Sequence, residues 1–459
     1  MLEQFTPDSE TVKERLEEQT TLFFSIVKWV ALATAIGAIV GLSTTFFLEL
    51  LDMGVVWSHQ PYYYLALPVC FVLCTWLVKT FAPQSQGHGT EKVIEAVHKR
   101  SGRIDWKVIP VKLLATVLTI SSGGSVGKEG PSGQIGAGLA SFFSDLMKLS
   151  DRDRKKLVIC GISAGFAGIF GTPISGAIFG LEVLYVGAVM YDVMLPSFIS
   201  GIVAYQTCSS LGIEYFHSGG FFVPEFNRNF YLLLLLGGVF FGLCSFLFIE
   251  LNRFIEKRRE LIKWNTYALN FAGGLVLAAL AYFLGTRYLG LGLGTIDGIL
   301  IGTDSARSYD FLLKMLFTIM TLSFGGSGGV VTPTFFIGVT AGAVFGTYFG
   351  LPPQTFAAIG MVSLLSGAAN TPIAASIMGM ELFGAEIAPY AAISCVIAYL
   401  MTGHRSLFPS QILRQKKDPS FHADLDVEIQ ESEVQLKKKE RMLVYRWWKV
   451  WRYRDKSTK

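Results

Sequence analysis

The sequence predicts an all-α polytopic membrane protein made of two repeated halves of tilted and broken helices. Composition, uncharged runs and an internal repeat carry that expectation. Hydrophobic residues make up 51% of the 459 and charged residues only 16%, against about 25% charged in a typical soluble domain. Trp29–Leu48, Tyr231–Ile249 and Trp264–Thr286 contain no charged residue, and each is long enough to cross a hydrocarbon core of about 30 Å. Tyr62–Val78, Val108–Ser122 and Gly130–Phe143 are shorter or interrupted. They read as tilted or broken helices, which a membrane tolerates where they face protein or a water-filled cavity.

The repeat emerges when residue 123 is laid on residue 325. GGSVGKEGPSGQIG then stands over GGSGGVVTPTFFIG, with Gly123/Gly325, Ser125/Ser327, Gly127/Gly329, Pro131/Pro333 and Gly136/Gly338 among the identities, at a constant offset of 202. Further on, GTPISGAIFGLEV from Gly171 matches NTPIAASIMGMEL from Asn370 at Thr172/Thr371, Pro173/Pro372 and Glu182/Glu381, at an offset of 199. Residues 215–230, polar and turn-rich, form the boundary between the halves.

The first of these motifs superficially resembles a phosphate loop. The G-x-x-x-x-G-K-[ST] pattern needs a glycine where Ser122 stands and a hydroxyl where Glu129 stands, so it fails twice, and a membrane enzyme handling phosphate groups is a remote reading. Repeated membrane halves with Gly- and Pro-interrupted segments point instead to a site at the ends of discontinuous helices. A helix start offers free N–H groups and a partial positive charge, which suit an anion. Pro131 and Pro333 sit just inside the two predicted helix starts, where proline is favoured. Glu129 then occupies the place of an anion.

GKEGP at 127–131, GGSGGVVTP at 325–333, GHG at 87–89 and HRSLFPSQ at 404–411 together resemble the four signature regions of the CLC chloride channels and chloride/proton antiporters. The resemblance spans residues 21–413. It implies two inverted repeats, about 21–215 and 229–413, and a homodimer with a separate pore in each subunit. It implies that Glu129 is the gating glutamate, and that Val330, Val331, His88 and Phe408 surround the bound anion. His88 stands where a serine is usual and Phe408 where a tyrosine is usual. Gly87, Gly89, Gly127, Lys128, Gly130 and Gly329 form the anion loops. Val183 stands where family transporters often carry a second, proton-relaying glutamate, and neighbouring Glu182 and its mate Glu381 read as structural caps.

The function these residues imply is chloride transport through a glutamate-gated pore, favoured as a passive gated channel over a chloride/proton antiporter. A fluoride/proton antiporter is a weaker alternative: that branch is expected to show a methionine at His88 and an acid at Val330, although Thr332-Pro333 resembles it. No enzymatic activity, metal or cofactor is expected, chloride being the bound substrate. Other halides and protons are further candidate cargo.

Residues 1–20 read as a cytoplasmic amphipathic segment without a signal-peptide pattern. Residues 414–459 read as a tail, too short for a large regulatory domain. Its end, KKKERMLVYRWWKVWRYRDKSTK, interleaves basic and aromatic residues, which suits anionic lipid headgroups rather than nucleic acid. The six cysteines are scattered through apolar stretches and read as small buried hydrophobes. The expected location is a prokaryotic inner membrane, crossed several times.

Overall fold

A computed structural model describes residues 9–58, 60–215 and 228–437. Most of the expected boundary at 215–230, and the basic aromatic run beyond residue 437, lie outside the described residues. The first half contains α1 (Ser9–Trp57), α2 (Leu67–Phe81), α3 (Gly89–Lys99), α4 (Val108–Ser121), α5 (Glu129–Leu146), α6 (Asp151–Phe170), α7 (Pro173–Glu182) and α8 (Met194–Ser210). The second half follows the same order with α9 (Arg228–Glu260), α10 (Thr266–Leu284), α11 (Leu293–Ile301), α12 (Asp310–Ser323), α13 (Val331–Tyr348), α14 (Pro353–Ala369), α15 (Pro372–Phe383) and α16 (Ala388–Met401). Two short strands, β1 (Tyr185–Val186) and β2 (Ile412–Leu413), pair in parallel, and β3 (Phe421–His422) pairs with β4 (Gln435–Leu436).

Helices α1 and α9 contain the first two uncharged runs and α10 covers most of the third, and among the described residues five stretches of helix are long and apolar enough to cross a membrane. Leu42, Phe46, Leu243, Leu247, Phe271 and Leu275 project outward from these long helices, a surface suited to lipid rather than water. Of the polar segment expected over residues 1–20, residues 1–8 lie outside the described residues and the rest is continuous with the first span. Strong helix formers such as Glu14, Arg15, Leu16 and Glu17 carry α1 past the bundle, and residues 13–28 remain exposed.

Close packing of α5 on α6, and of α13 on α14, depends on glycine. A methyl group on Gly161 would lie 2.4 Å from the Gly136 carbonyl oxygen, and one on Gly360 would lie 2.4 Å from that of Gly338. The same contact is thus built twice. Helices α6 and α14 end on left-handed residues, Gly171 (φ 72°) and Asn370 (φ 57°), and Pro173 and Pro372 open the helices that follow.

The halves also cap each other. Glu182 at the end of α7 accepts from the Ile373 and Ala374 N–H groups at the start of α15 (3.1 and 2.8 Å). Glu381 on α15 accepts from Ile174 and Ser175 at the start of α7 (3.0 and 2.8 Å). Each carboxylate satisfies two N–H groups that a helix start leaves free, and the reciprocity is what a two-fold relation between the halves requires.

Gly161→Ala or Gly360→Ala is expected to force the paired helices apart at a cost of about 1–3 kcal/mol. The melting temperature of the detergent-purified protein should fall for either variant. An unchanged melting temperature would mean that these glycines do not set the helix separation.

Candidate functional site

The two repeated loops meet backbone to backbone. The Gly127 N–H donates to the Gly329 carbonyl and the Gly329 N–H returns to the Gly127 carbonyl, both at 2.7 Å. His88 forms a parallel bridge with Gly328. A methyl group on Gly89 would lie 2.2 Å from the Gly130 carbonyl oxygen, and one on Gly329 would lie 2.8 Å from the Gly130 nitrogen. Three segments, 87–89, 127–130 and 328–331, therefore share one junction, from which α3, α5 and α13 all begin. Only glycine permits approach this close.

Threonines from the opposite half hold each loop in place. The Ser125 N–H donates to the Thr321 hydroxyl and the Ser327 N–H to the Thr119 hydroxyl, both at 3.0 Å. Gly123 (φ 95°) and Gly325 (φ 97°) make the matching left-handed turns that enter the loops. Two lysines complete the frame. Lys112 donates to the Ser85 and Gly87 carbonyls (3.2 and 2.7 Å), fixing the turn before α3. Lys314 donates to the Tyr288 and Gly290 carbonyls (3.1 and 2.9 Å), fixing the turn before α11. Sequence reasoning passed over these lysines, although they stand 202 apart, the offset of the first motif pair.

Glu129 is the first residue of α5 and is 2% exposed. Its carboxylate turns to the start of α13 rather than to neighbouring Lys128. The Thr332 N–H donates to Oε2 at 3.1 Å, and the Thr332 hydroxyl lies 2.5 and 2.6 Å from the two oxygens. Val330 and Val331, both buried, immediately precede Thr332, and the first N–H groups of a helix have no partner within it. An acid from one half thus occupies helix-start donors from the other. The sequence had drawn attention to Thr332 only through the pair Thr332-Pro333.

His88 is the N-cap of α3 but makes no capping hydrogen bond, and its Nδ1 is buried without a partner among the described residues. With Gly87 it lines a cavity of about 1030 Å3 that Ser406, Leu407 and Pro409 close on another side. Phe408 lies between these last residues in the chain and is fully buried, its N–H donating to the Ser406 hydroxyl (2.9 Å). Val183 is not part of the junction. It is buried at the end of α7, and its carbonyl accepts from the Gln411 side chain at 2.8 Å.

Gln411 is a tie that sequence reasoning missed. Its amide nitrogen donates to the Val183 and Ala369 carbonyls (both 2.8 Å), and its oxygen accepts from Asn370 (3.0 Å) and Ser406 (2.6 Å). All four of its hydrogen-bonding positions are used. It joins the ends of α7 and α14 to the loop that carries Phe408.

Similarity to known proteins accords with this geometry. Residues 70–403 match the family described as voltage gated chloride channel. The chain belongs to the CLC family. A chloride/fluoride channel protein of Pseudomonas syringae pv. tomato is 35% identical over 434 residues, covering 92% of this chain and 94% of that one. A voltage-gated ClC-type chloride channel of Escherichia coli is 29% identical over 345 residues, covering 72% and 81%. Among solved structures, a CLC-type fluoride/proton antiporter superposes with a TM-score of 0.80 at 31% identity, covering 85% of this chain and 98% of that one. A slow cyanobacterial Cl−/H+ antiporter gives 0.70 at 20% identity over 82% and 94%, a likeness of fold. CLC proteins are multi-pass membrane channels or transporters of anions, not enzymes.

Gln411→Leu is expected to destabilise this CLC protein by about 4 kcal/mol or more, since it strands two buried carbonyls and two donors at about 1–3 kcal/mol for each group that water cannot reach. Thermal unfolding in detergent should show the loss. A melting curve equal to wild type would remove Gln411 from the frame of the site.

Proposed function

We propose that the chain is a halide transporter whose pathway is gated by Glu129. The observation that carries this reading is the Glu129 carboxylate lying on the start of α13, where it takes the Thr332 N–H and hydroxyl. Two negative charges about 4 Å apart repel by about 4 kcal/mol at an effective dielectric near 20. An ionised Glu129 and a halide therefore compete for one place. Protonation removes the charge and weakens the hold on Thr332, because charge-assisted hydrogen bonds are the stronger ones. Passage should then rise as pH falls.

In this reading the anion is held by the Val330 and Val331 N–H groups, by an N–H of His88, and by the weakly positive ring edge of Phe408. The glycine loops and Lys128 keep that place open. Chloride moving passively is the form that Val183 supports, since a buried valine has no proton to give or take. Proton-coupled exchange, of chloride or of fluoride, is a second form. It is favoured by the 31% identity to a fluoride/proton antiporter over 85% of the chain. Assembly as a homodimer with one pathway per subunit, in the inner membrane of a prokaryote, belongs to the same proposal, as does a lipid-bound tail.

Purified protein in liposomes tests the gate, with chloride and fluoride efflux measured separately across a pH series. Wild type should release halide faster as pH falls. Glu129→Gln keeps the volume and removes the charge, and its efflux should be fast and independent of pH. A Gln variant that kept the wild-type pH profile would contradict gating by Glu129.

A further inference from the structure

The start of α3 holds a carboxylate that the gate does not use. Glu91 stands three residues after the N-cap His88, the position from which an acid usually returns to the N-cap N–H. Here it turns away. Its Oε1 accepts from the Ser410 N–H and hydroxyl, and its Oε2 is buried with no partner among the described residues. His88 Nδ1 is likewise buried and, among the described residues, unpaired. Residues three apart at a helix start lie on one face, and both side chains line the same 1030 Å3 cavity. A buried carboxylate oxygen without a donor is destabilising unless water or a proton satisfies it.

Some of the charges around this pair are matched, while buried Lys112, on the Gly87 carbonyl beside His88, forms no ion pair among the described residues. On α3 itself Lys92 pairs with Glu95, and Lys99 pairs with Glu428 from the segment after β2. Across the cavity Arg405 pairs with Glu250, while α9 also presents Arg253, Glu256, Lys257 and Glu260, and His404 stands on the closing loop. Ser410, which holds Glu91, is followed by Gln411, which holds the Val183 carbonyl. Glu91 is thus fastened to the same short loop as the valine that lacks a titratable group.

We infer that Glu91 is the inner proton port of this transporter, passing protons from the cavity to His88 and on to Glu129. Oε2 takes one proton from cavity water and gives it to Nδ1 of His88. The proton on the other ring nitrogen leaves for the Glu129 carboxylate, so only O–H and N–H bonds form or break and one proton moves for each that enters. The inference rests on the proton-coupled form of the proposed function.

The test uses the full chain in liposomes, recording proton uptake driven by a chloride gradient, then by a fluoride gradient, alongside halide efflux. Glu91→Gln retains the acceptor for Ser410 and loses the proton, so proton uptake should fall about tenfold or more while halide efflux stays near wild type. Glu91→Asp, which keeps the acid on a shorter arm, should retain part of the uptake. It also serves as the comparison if the Gln variant is not monodisperse, and unchanged uptake in it would then overturn the port. A Gln variant with the wild-type ratio of protons to halide overturns it directly. Wild-type halide efflux with no uphill proton movement also overturns the port but leaves gated halide passage standing. No halide efflux from wild type would remove that passage as well.

Discussion

The paired hydrogen bonds between Gly127 and Gly329 are the constraint on which the rest of this structure depends. They bring two helix starts together in the interior of a membrane protein, where free N–H groups find no water. A helix start in such a place needs a negative partner. The protein supplies Glu129 from one half to Thr332 of the other. An internal carboxylate is a partner that can be displaced, and a site satisfied by a displaceable group of the same charge as the cargo has the makings of a gate.

Duplication explains how so much buried polar backbone is supported. Thr119 and Thr321 exchange places as acceptors for the opposite loop, Glu182 and Glu381 cap each other's helices, and Lys112 and Lys314 clamp matching turns. Each device appears once per half and most of them cross between halves. The departures from symmetry are then informative. Glu129 is followed by no acid in the second half, where the aligned residue is Val331, so one helix start carries the charge and the other receives it.

Much of this was legible in the sequence because membrane burial writes itself in long uncharged runs and because glycine and proline mark broken helices. The offset of 202 located both loops, and GKEGP pointed to Glu129. What escaped were single residues whose partners lie far away in sequence. Gln411 ties α7 to α14 across 228 and 42 positions, and no local pattern distinguishes it from a surface glutamine. Glu91 reads as an ordinary first-turn acid until Ser410, 319 residues away, is seen to hold it. His88 was singled out by its place in GHG, whereas its unpaired Nδ1 required the folded chain.

Competition between carboxylate and halide for one place at the start of α13 is the central claim, and proton linkage tests it most directly. Halide binding to the purified protein can be measured by calorimetry in two buffers with different ionisation enthalpies. If the halide displaces Glu129, the freed carboxylate takes up a proton, so the binding heat of wild type should differ between buffers while that of Glu129→Gln should not. Binding heats for wild type that were the same in both buffers would contradict the account.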